Sequence, residues 1–215
     1  MLAAPGVGKT ACLIPIGLDD LMRKNKVLHI ALGGSVQQVC VWYDELFKDL
    51  AGTAKLKDRD DVATSIRKLR IIRSTSDRTL HADRLERVAE LFQENSGFTP
   101  EANLVDGYDW TSDEEDTRLA LLAFKAIGQR FGAEIWMTAR AGRTDVKTRP
   151  SSLIEPCLTF SDLIDVGLLL EPSGGLVSIR LVKDHDNEIQ SAGSQVALNC
   201  ESMRLVVSGS QPSAA

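Results

Sequence analysis

The chain of 215 residues has no long apolar run. Its longest stretches, such as Val166 to Leu170 around Gly167, fall far short of the ~20 residues of a membrane span. No basic start followed by an apolar stretch and a cleavage site opens the sequence, so no signal peptide is expected. The four cysteines (Cys12, Cys40, Cys157 and Cys200) lie far apart and form no C-x-x-C pair. That excludes a thiol-pair motif and points to reduced, mostly buried thiols in a cytoplasmic protein. Three scattered histidines give no metal constellation. An excess of positive charge is lacking too. Lys and Arg total 25 against 30 for Asp and Glu, a formal net charge of −5, which argues against a dedicated DNA-coating protein and leaves room for a local basic groove. There is no internal repeat.

What is present describes a globular chain. The hydrophobic fraction of 43% and charged fraction of 26% are ordinary for a folded domain. The length suits one domain with elaborations and a core that needs no staples.

Strand and helix patterns alternate through the first two thirds. A helix is expected from Lys9 to about Lys24 on Leu13, Ile16, Leu18, Leu21 and Met22, with Pro15 forcing a kink or a late start. Val27 to Leu32 reads as a buried strand ended by Gly33 and Gly34. Ser35 can cap the next helix, which carries Val36, Val39, Trp42, Tyr43, Leu46 and Leu50. The polar stretch 51–68 has no predicted element, and its Lys55, Lys57, Arg59, Arg67, Lys68 and Arg70 read as a solvated face. Leu69 to Arg73 predicts a strand, 82–95 an amphipathic helix, and Ala102 to Asp106 an apolar strand ending in aspartate. An acidic cluster at 113–116 suits the start of a helix that uses Leu119, Leu122, Ala123, Ala126 and Ile127. Glu134 to Thr138 predicts a strand and 140–160 a loop. Strands follow at 166–170, 178–182, 196–198 and 204–207, with a turn at Gly174-Gly175. The alternating part indicates a parallel sheet with helices on both faces, and the late strands indicate antiparallel hairpins. Residues 1–207 form the expected domain, and 208–215 a frayed tail.

One motif carries chemistry. Ala3-Ala4-Pro5-Gly6-Val7-Gly8-Lys9-Thr10 fits the relaxed Walker A pattern, with alanine at its first glycine position. Gly6 and Gly8 let the backbone curl so that N–H groups point at phosphate oxygens. Lys9 is a point charge for the β- and γ-phosphates, and the Thr10 hydroxyl can ligate Mg²⁺. The helix behind the loop presents its positive end to the same anion. Pro5, Gly6, Val7, Gly8, Lys9, Thr10 and Ala11 are therefore the expected nucleotide-binding residues. Asp106, at the end of an apolar strand, matches a Walker B aspartate and would hold Mg²⁺ through water. Only Met1 and Leu2 precede the motif, so the strand that normally feeds a Walker A loop is expected to be mostly missing, as if the domain were truncated there.

In order, APGVGKT, VLHIALGGS, LVDGYDW, EIWMTARAGR, DLIDVGLLLE and IRLVKDHDNE resemble the RecA-like ATPases, in particular the KaiC and DnaB-type helicase branch. The resemblance covers nearly the whole chain. It implies an α/β RecA-like P-loop fold, a mostly parallel sheet flanked by helices with antiparallel C-terminal strands. It also implies ATP and Mg²⁺ as ligands, with adenine preferred over guanine; no N-K-x-D motif is evident. Thr138, or the adjacent Arg140, stands at the family's polar sensor position. Lys183-Asp184-His185 resembles the K-x-R finger that reaches a neighbouring subunit's γ-phosphate, so Lys183 would supply charge in trans within a homo-oligomer.

Two departures bear on rate. Gly33 occupies the position of the family's catalytic glutamate, and glycine cannot orient or deprotonate water. His185 replaces the finger arginine and lacks a guanidinium fork. Both point to slow hydrolysis and a nucleotide switch, with a protein partner downstream. The alternatives are a DNA-dependent helicase-type motor and a regulatory scaffold that keeps the fold without catalysis. Asp109, Glu114 or Glu115 can serve as a substitute base or simply cap the following helix. Tyr108 and Trp110 fit either packing or a role beside the nucleotide, whereas Trp42 and Tyr43 fit core packing. Arg140, Arg143, Lys147 and Arg149 lie where the resembling helicases face nucleic acid, but no aromatics interleave with them and a solvated loop is favoured.

Overall fold

The computed structural model describes residues 1–81, 97–142, 152–187, 196–199 and 201–207, together with Arg87, Glu90 and Glu94. Nearly all of the helix expected at 82–95, Arg143, Lys147 and Arg149, Cys200 and the tail 208–215 lie outside the described residues.

The order of described elements is β1 (Leu2–Ala3), α1 (Lys9–Met22), β2 (Val27–Leu32), α2 (Val36–Thr53), α3 (Arg59–Lys68), β3 (Arg70–Thr75), β4 (Ala102–Asp106), α4 (Glu114–Phe131), β5 (Glu134–Met137), β6 (Ala139–Arg140), a 3₁₀ turn at Ser161–Leu163, β7 (Val166–Ser173), β8 (Leu176–Asp184), β9 (Val196–Asn199) and β10 (Arg204–Val207). Strands β3-β2-β4-β5 form one parallel sheet. Strands β6-β1-β7 are parallel in a second sheet, which β8, β9 and β10 extend antiparallel. The two-residue β1 is central: it pairs with Ala139 and Arg140 on one side and with Leu169 on the other.

The sheets meet at Thr138, which joins β5 to β6. Its N–H donates to the Val105 carbonyl at 3.0 Å, still in the first sheet, and the next N–H, of Ala139, donates to the Met1 carbonyl at 2.7 Å. The ladder does not continue past this point because the Gly107 N–H goes to the Thr138 hydroxyl at 2.9 Å. The displaced Thr138 carbonyl accepts the Trp110 indole N–H at 2.9 Å instead. A side chain thus takes a backbone partner, each of these groups stays satisfied, and the sheet splits at its carboxyl edge.

Helices cover both faces, as the alternating pattern requires. On one face α1 and α2 pack Leu13, Ile14, Leu18, Val39, Tyr43 and Leu46 onto Val27, Ala31 and Leu104. Gly17 leaves α1 room to lie against Tyr43 and Leu104, since a Cβ there would strike both. On the other face α4 brings Ala120, Leu121 and Phe124 against Leu28, Ile30 and Val105. No helix among the described residues is long and apolar enough to cross a membrane.

Several expectations shift. Helix α1 starts at Lys9 and runs through Pro15, so the late start does not occur. The polar stretch 51–68 contains α3, with Asp60 and Asp61 in its first turn, Arg67 and Lys68 in its last, and Ile66 buried. That charge order complements the helix dipole, a signal that hydrophobic periodicity does not detect. On α4 the expected core positions Leu119 and Leu122 are 51% and 46% exposed, and Ala126 is also exposed. Thr117, Ala120, Leu121 and Phe124 face the sheet. Two apolar stripes compete on this helix, and the one with small residues lets it approach closest. Val36 on α2 is likewise exposed, and Phe47 is buried. Strand β3 begins and ends later than the pattern suggests, while β7 and β8 extend to meet at Gly174-Gly175, both with positive φ.

Candidate functional site

Parallel strands deliver their following loops to one edge, and four of the expected site residues meet there. The loop after β1 turns at Ala4, whose carbonyl accepts the Val7 N–H at 3.4 Å. Gly6 (φ 78°) and Gly8 (φ 104°) adopt left-handed conformations that other residues avoid. Pro5 and Gly6 are exposed, while Val7 is buried and anchors the loop. Gly8 starts α1 with no side-chain cap, so the N–H groups of Lys9, Thr10 and Ala11 receive no capping oxygen. That is an anion-binding helix start beside a left-handed glycine loop.

Lys9 folds back over the loop, and its ammonium donates to the carbonyls of Ala3 (3.2 Å) and Ala4 (3.3 Å). Burial lowers its pKa; the Asp106 carboxylate opposes this and the Arg140 guanidinium adds to it. Asp106 is the hub. Its Oδ2 accepts the Thr10 hydroxyl at 2.5 Å, and its Oδ1 accepts the Thr138 hydroxyl at 2.7 Å. Thr138, only 1% exposed, thus ties Asp106 to the split in the sheet. Gly107 has φ 83°, and a Cβ there would fall on the Leu32 carbonyl oxygen. Glycine at this position lets the loop after β4 press against the end of β2.

The other candidates separate by function and packing. Tyr108 and Trp110 are buried and meet edge to face, with ring centroids 6.1 Å apart, so they pack. Burial raises the Tyr108 pKa. Asp109 Oδ1 accepts both the backbone N–H (3.0 Å) and the hydroxyl (2.8 Å) of Thr111, a local turn that occupies the carboxylate. Glu114 and Glu115 are exposed in the first turn of α4, which Asp113 caps through the Asp116 N–H at 2.9 Å. Arg140 is exposed on β6, beside Ala3 in register. Lys183 is not part of the cluster. It lies on β8 opposite Gly167, near the start of β7, and its ammonium donates to the Ser161 carbonyl at 2.6 Å. Since β7 runs parallel to β1, that is the edge away from the Walker A loop. His185, at φ 50°, holds Asp184 at 3.0 Å.

Sequence reading missed Gly107, the indole clamp of Trp110, and Arg78, whose guanidinium covers Gly33. A glycine directly after the strand-ending aspartate was the available signal for the first. Nothing local announces the other two, because their partners are distant in sequence.

No family model and no curated protein matches the chain. Among solved structures it is similar to the ATPase domain of a DnaB-type helicase, at TM-score 0.67 and 12% identity, covering 96% of this chain and 82% of that chain. The fold is RecA-like. At this identity the likeness speaks to the fold alone, and the order of its strands is the one that puts the Walker A loop and Asp106 on a common edge.

Proposed function

We propose that the protein binds ATP with Mg²⁺ at the Walker A loop and hydrolyses it slowly, acting as a nucleotide switch. The observation that carries this reading is the convergence of Lys9, Thr10, Asp106 and Thr138 on a loop with left-handed glycines. The donor set fits the ion. Thr10 and Asp106 offer two hard oxygens already in contact, the type Mg²⁺ prefers. When bound, Mg²⁺ would neutralise phosphate charge. Lys9 would exchange its two carbonyl partners for phosphate oxygens. The uncapped N–H groups of α1 would hold the β-phosphate, and Thr138 would keep Asp106 oriented.

The slow rate follows from what is absent at two positions. Gly33 offers no carboxylate to a water, and Asp109 spends its own on Thr111. Lys183 would act in trans on a neighbouring subunit of a homo-oligomer, with His185 a weaker substitute for a finger arginine. The test is steady-state ATP turnover with Mg²⁺, with and without single-stranded DNA, against Lys9→Ala. Slow, Lys9-dependent turnover that ignores DNA supports the switch. Fast turnover stimulated by DNA favours a motor and sinks the switch reading.

A further inference from the structure

We infer that Arg78 is the group that tells a nucleoside triphosphate from a diphosphate, contacting the terminal phosphate from the same subunit. This rests on the nucleotide-binding reading above and assigns a residue that lies outside the Walker motifs.

The position is built by backbone. Ala31 of β2 stands in register with Asp106 of β4, and neighbouring strands are about 4.8 Å apart. Two residues further on, Gly33 lies past the end of β2, beside the Asp106–Gly107 turn. The guanidinium of Arg78 lies over that glycine: a Cβ on Gly33 would be 2.8 Å from Arg78 Nε and 3.3 Å from both Cζ and Nη2. A glutamate or any other side chain at 33 would displace it. Gly33 is therefore more than a lost carboxylate; it is the seat of a cation.

The loop that carries Arg78 is fastened on both sides. The Gly33 N–H donates to the Thr75 carbonyl at 2.7 Å, and the Asp109 N–H donates to the Arg78 carbonyl at 2.9 Å. Asp77 Oδ1 accepts the Thr79 N–H (3.0 Å) and hydroxyl (2.8 Å), and Leu80 is buried behind them. The ends of β2, β3 and β4 are thus stitched together around the guanidinium. Arg78 itself is exposed, and among the described residues its side chain has no hydrogen bond or ion pair. An arginine held by its backbone, without a carboxylate partner, one strand from the metal-binding aspartate is suited to an incoming phosphate. Its fork can hold two oxygens at once.

Geometry sets which phosphate. Across the edge the order is the Walker A loop, Arg140 on β6, Asp106 on β4, and then Gly33 with Arg78. Phosphates nearest the nucleoside lie on the loop and the start of α1. Only the terminal one, drawn over Asp106 by the metal, comes within reach of β2.

The experiment is calorimetric titration of ADP and of a non-hydrolysable ATP analogue, each with Mg²⁺, into wild type, Arg78→Ala, Arg78→Lys and Lys9→Ala. Arg78→Ala is expected to weaken the triphosphate by about tenfold or more, the scale of one charge-assisted contact. It should leave ADP unchanged, and Arg78→Lys should restore part of the loss. Equal effects on both nucleotides, or no effect on either, with Lys9→Ala still defective, would overturn the assignment and spare the nucleotide reading. Binding that is absent in wild type, or indifferent to Lys9→Ala, would remove both.

Discussion

The two edges of the sheet use their charged residues differently. At the carboxyl edge, side chains from β4, the β5–β6 junction and α1 converge on Asp106. At the opposite edge, Lys183 reaches a carbonyl of its own chain, and Lys125 pairs with Asp165 at 3.0 Å across a surface where both are substantially exposed. The difference comes from strand direction. Parallel strands collect their loops at one end, so residues far apart in sequence meet there. Antiparallel β8 ends at the other side, and its lysine cannot serve the nucleotide of its own subunit. One edge is a site in itself. The other becomes useful only to a neighbour.

The largest effect expected belongs to a group buried under the first edge. His29 on β2 is inaccessible, bonded through Nδ1 to the Tyr43 hydroxyl at 3.2 Å, with Nε2 buried and unpartnered. Burial lowers its pKa to about 4 from 6.5, with Asp106 opposing and Arg70 assisting. The folded state thus binds fewer protons than the unfolded state between these values. Stability is full above about pH 6.5 and falls as pH drops toward 4, by about 3 kcal/mol. Denaturant titrations across that window check it. A His29→Gln variant should flatten the slope, and an unchanged slope would remove His29 as the cause.

Next in size is the contrast between two lysines. Lys9→Ala should cost about 1.5–3 kcal/mol in nucleotide binding, ten- to a hundredfold in affinity. Lys183→Ala should leave equilibrium affinity intact and lower turnover only where subunits assemble. Equal loss of affinity in both variants, read by calorimetry, would erase the distinction between the edges.

Thr138→Val should destabilise the fold by about 1–3 kcal/mol, because it leaves the Gly107 N–H without its acceptor where the sheet splits. Thr138→Ser should retain most of the stability, and a melting curve of each compares them. The smallest effect is expected at the far edge. Lys125→Ala should change stability by less than about 1 kcal/mol, since an exposed ion pair gains little in water. A larger loss would mean that this edge is more tightly built than its exposure implies.

Much of this was legible before any coordinates. Gly6, Gly8, Lys9 and Thr10 announce an anion loop by spacing, because a loop binding phosphate with its own backbone is a local object. Asp106 was legible as the end of an apolar strand. The α4 face was not, because Leu119 and Leu122 compete with Ala120 and Phe124 and only close approach to the sheet decides between them. Helix α3 escaped notice because its cues are terminal charges rather than periodic apolar residues.

The sequence by itself determined the alternation of strands and helices, the phosphate loop, and the absence of a carboxylate at Gly33. These depend on short-range patterns that backbone geometry reads directly. Only the tertiary structure decided that Thr138 and Trp110 split the sheet beside Asp106, that Arg78 covers Gly33, and that Lys183 faces away from the loop. Each of these is a meeting of residues brought together by strand order and direction, and no local spacing in the chain encodes it.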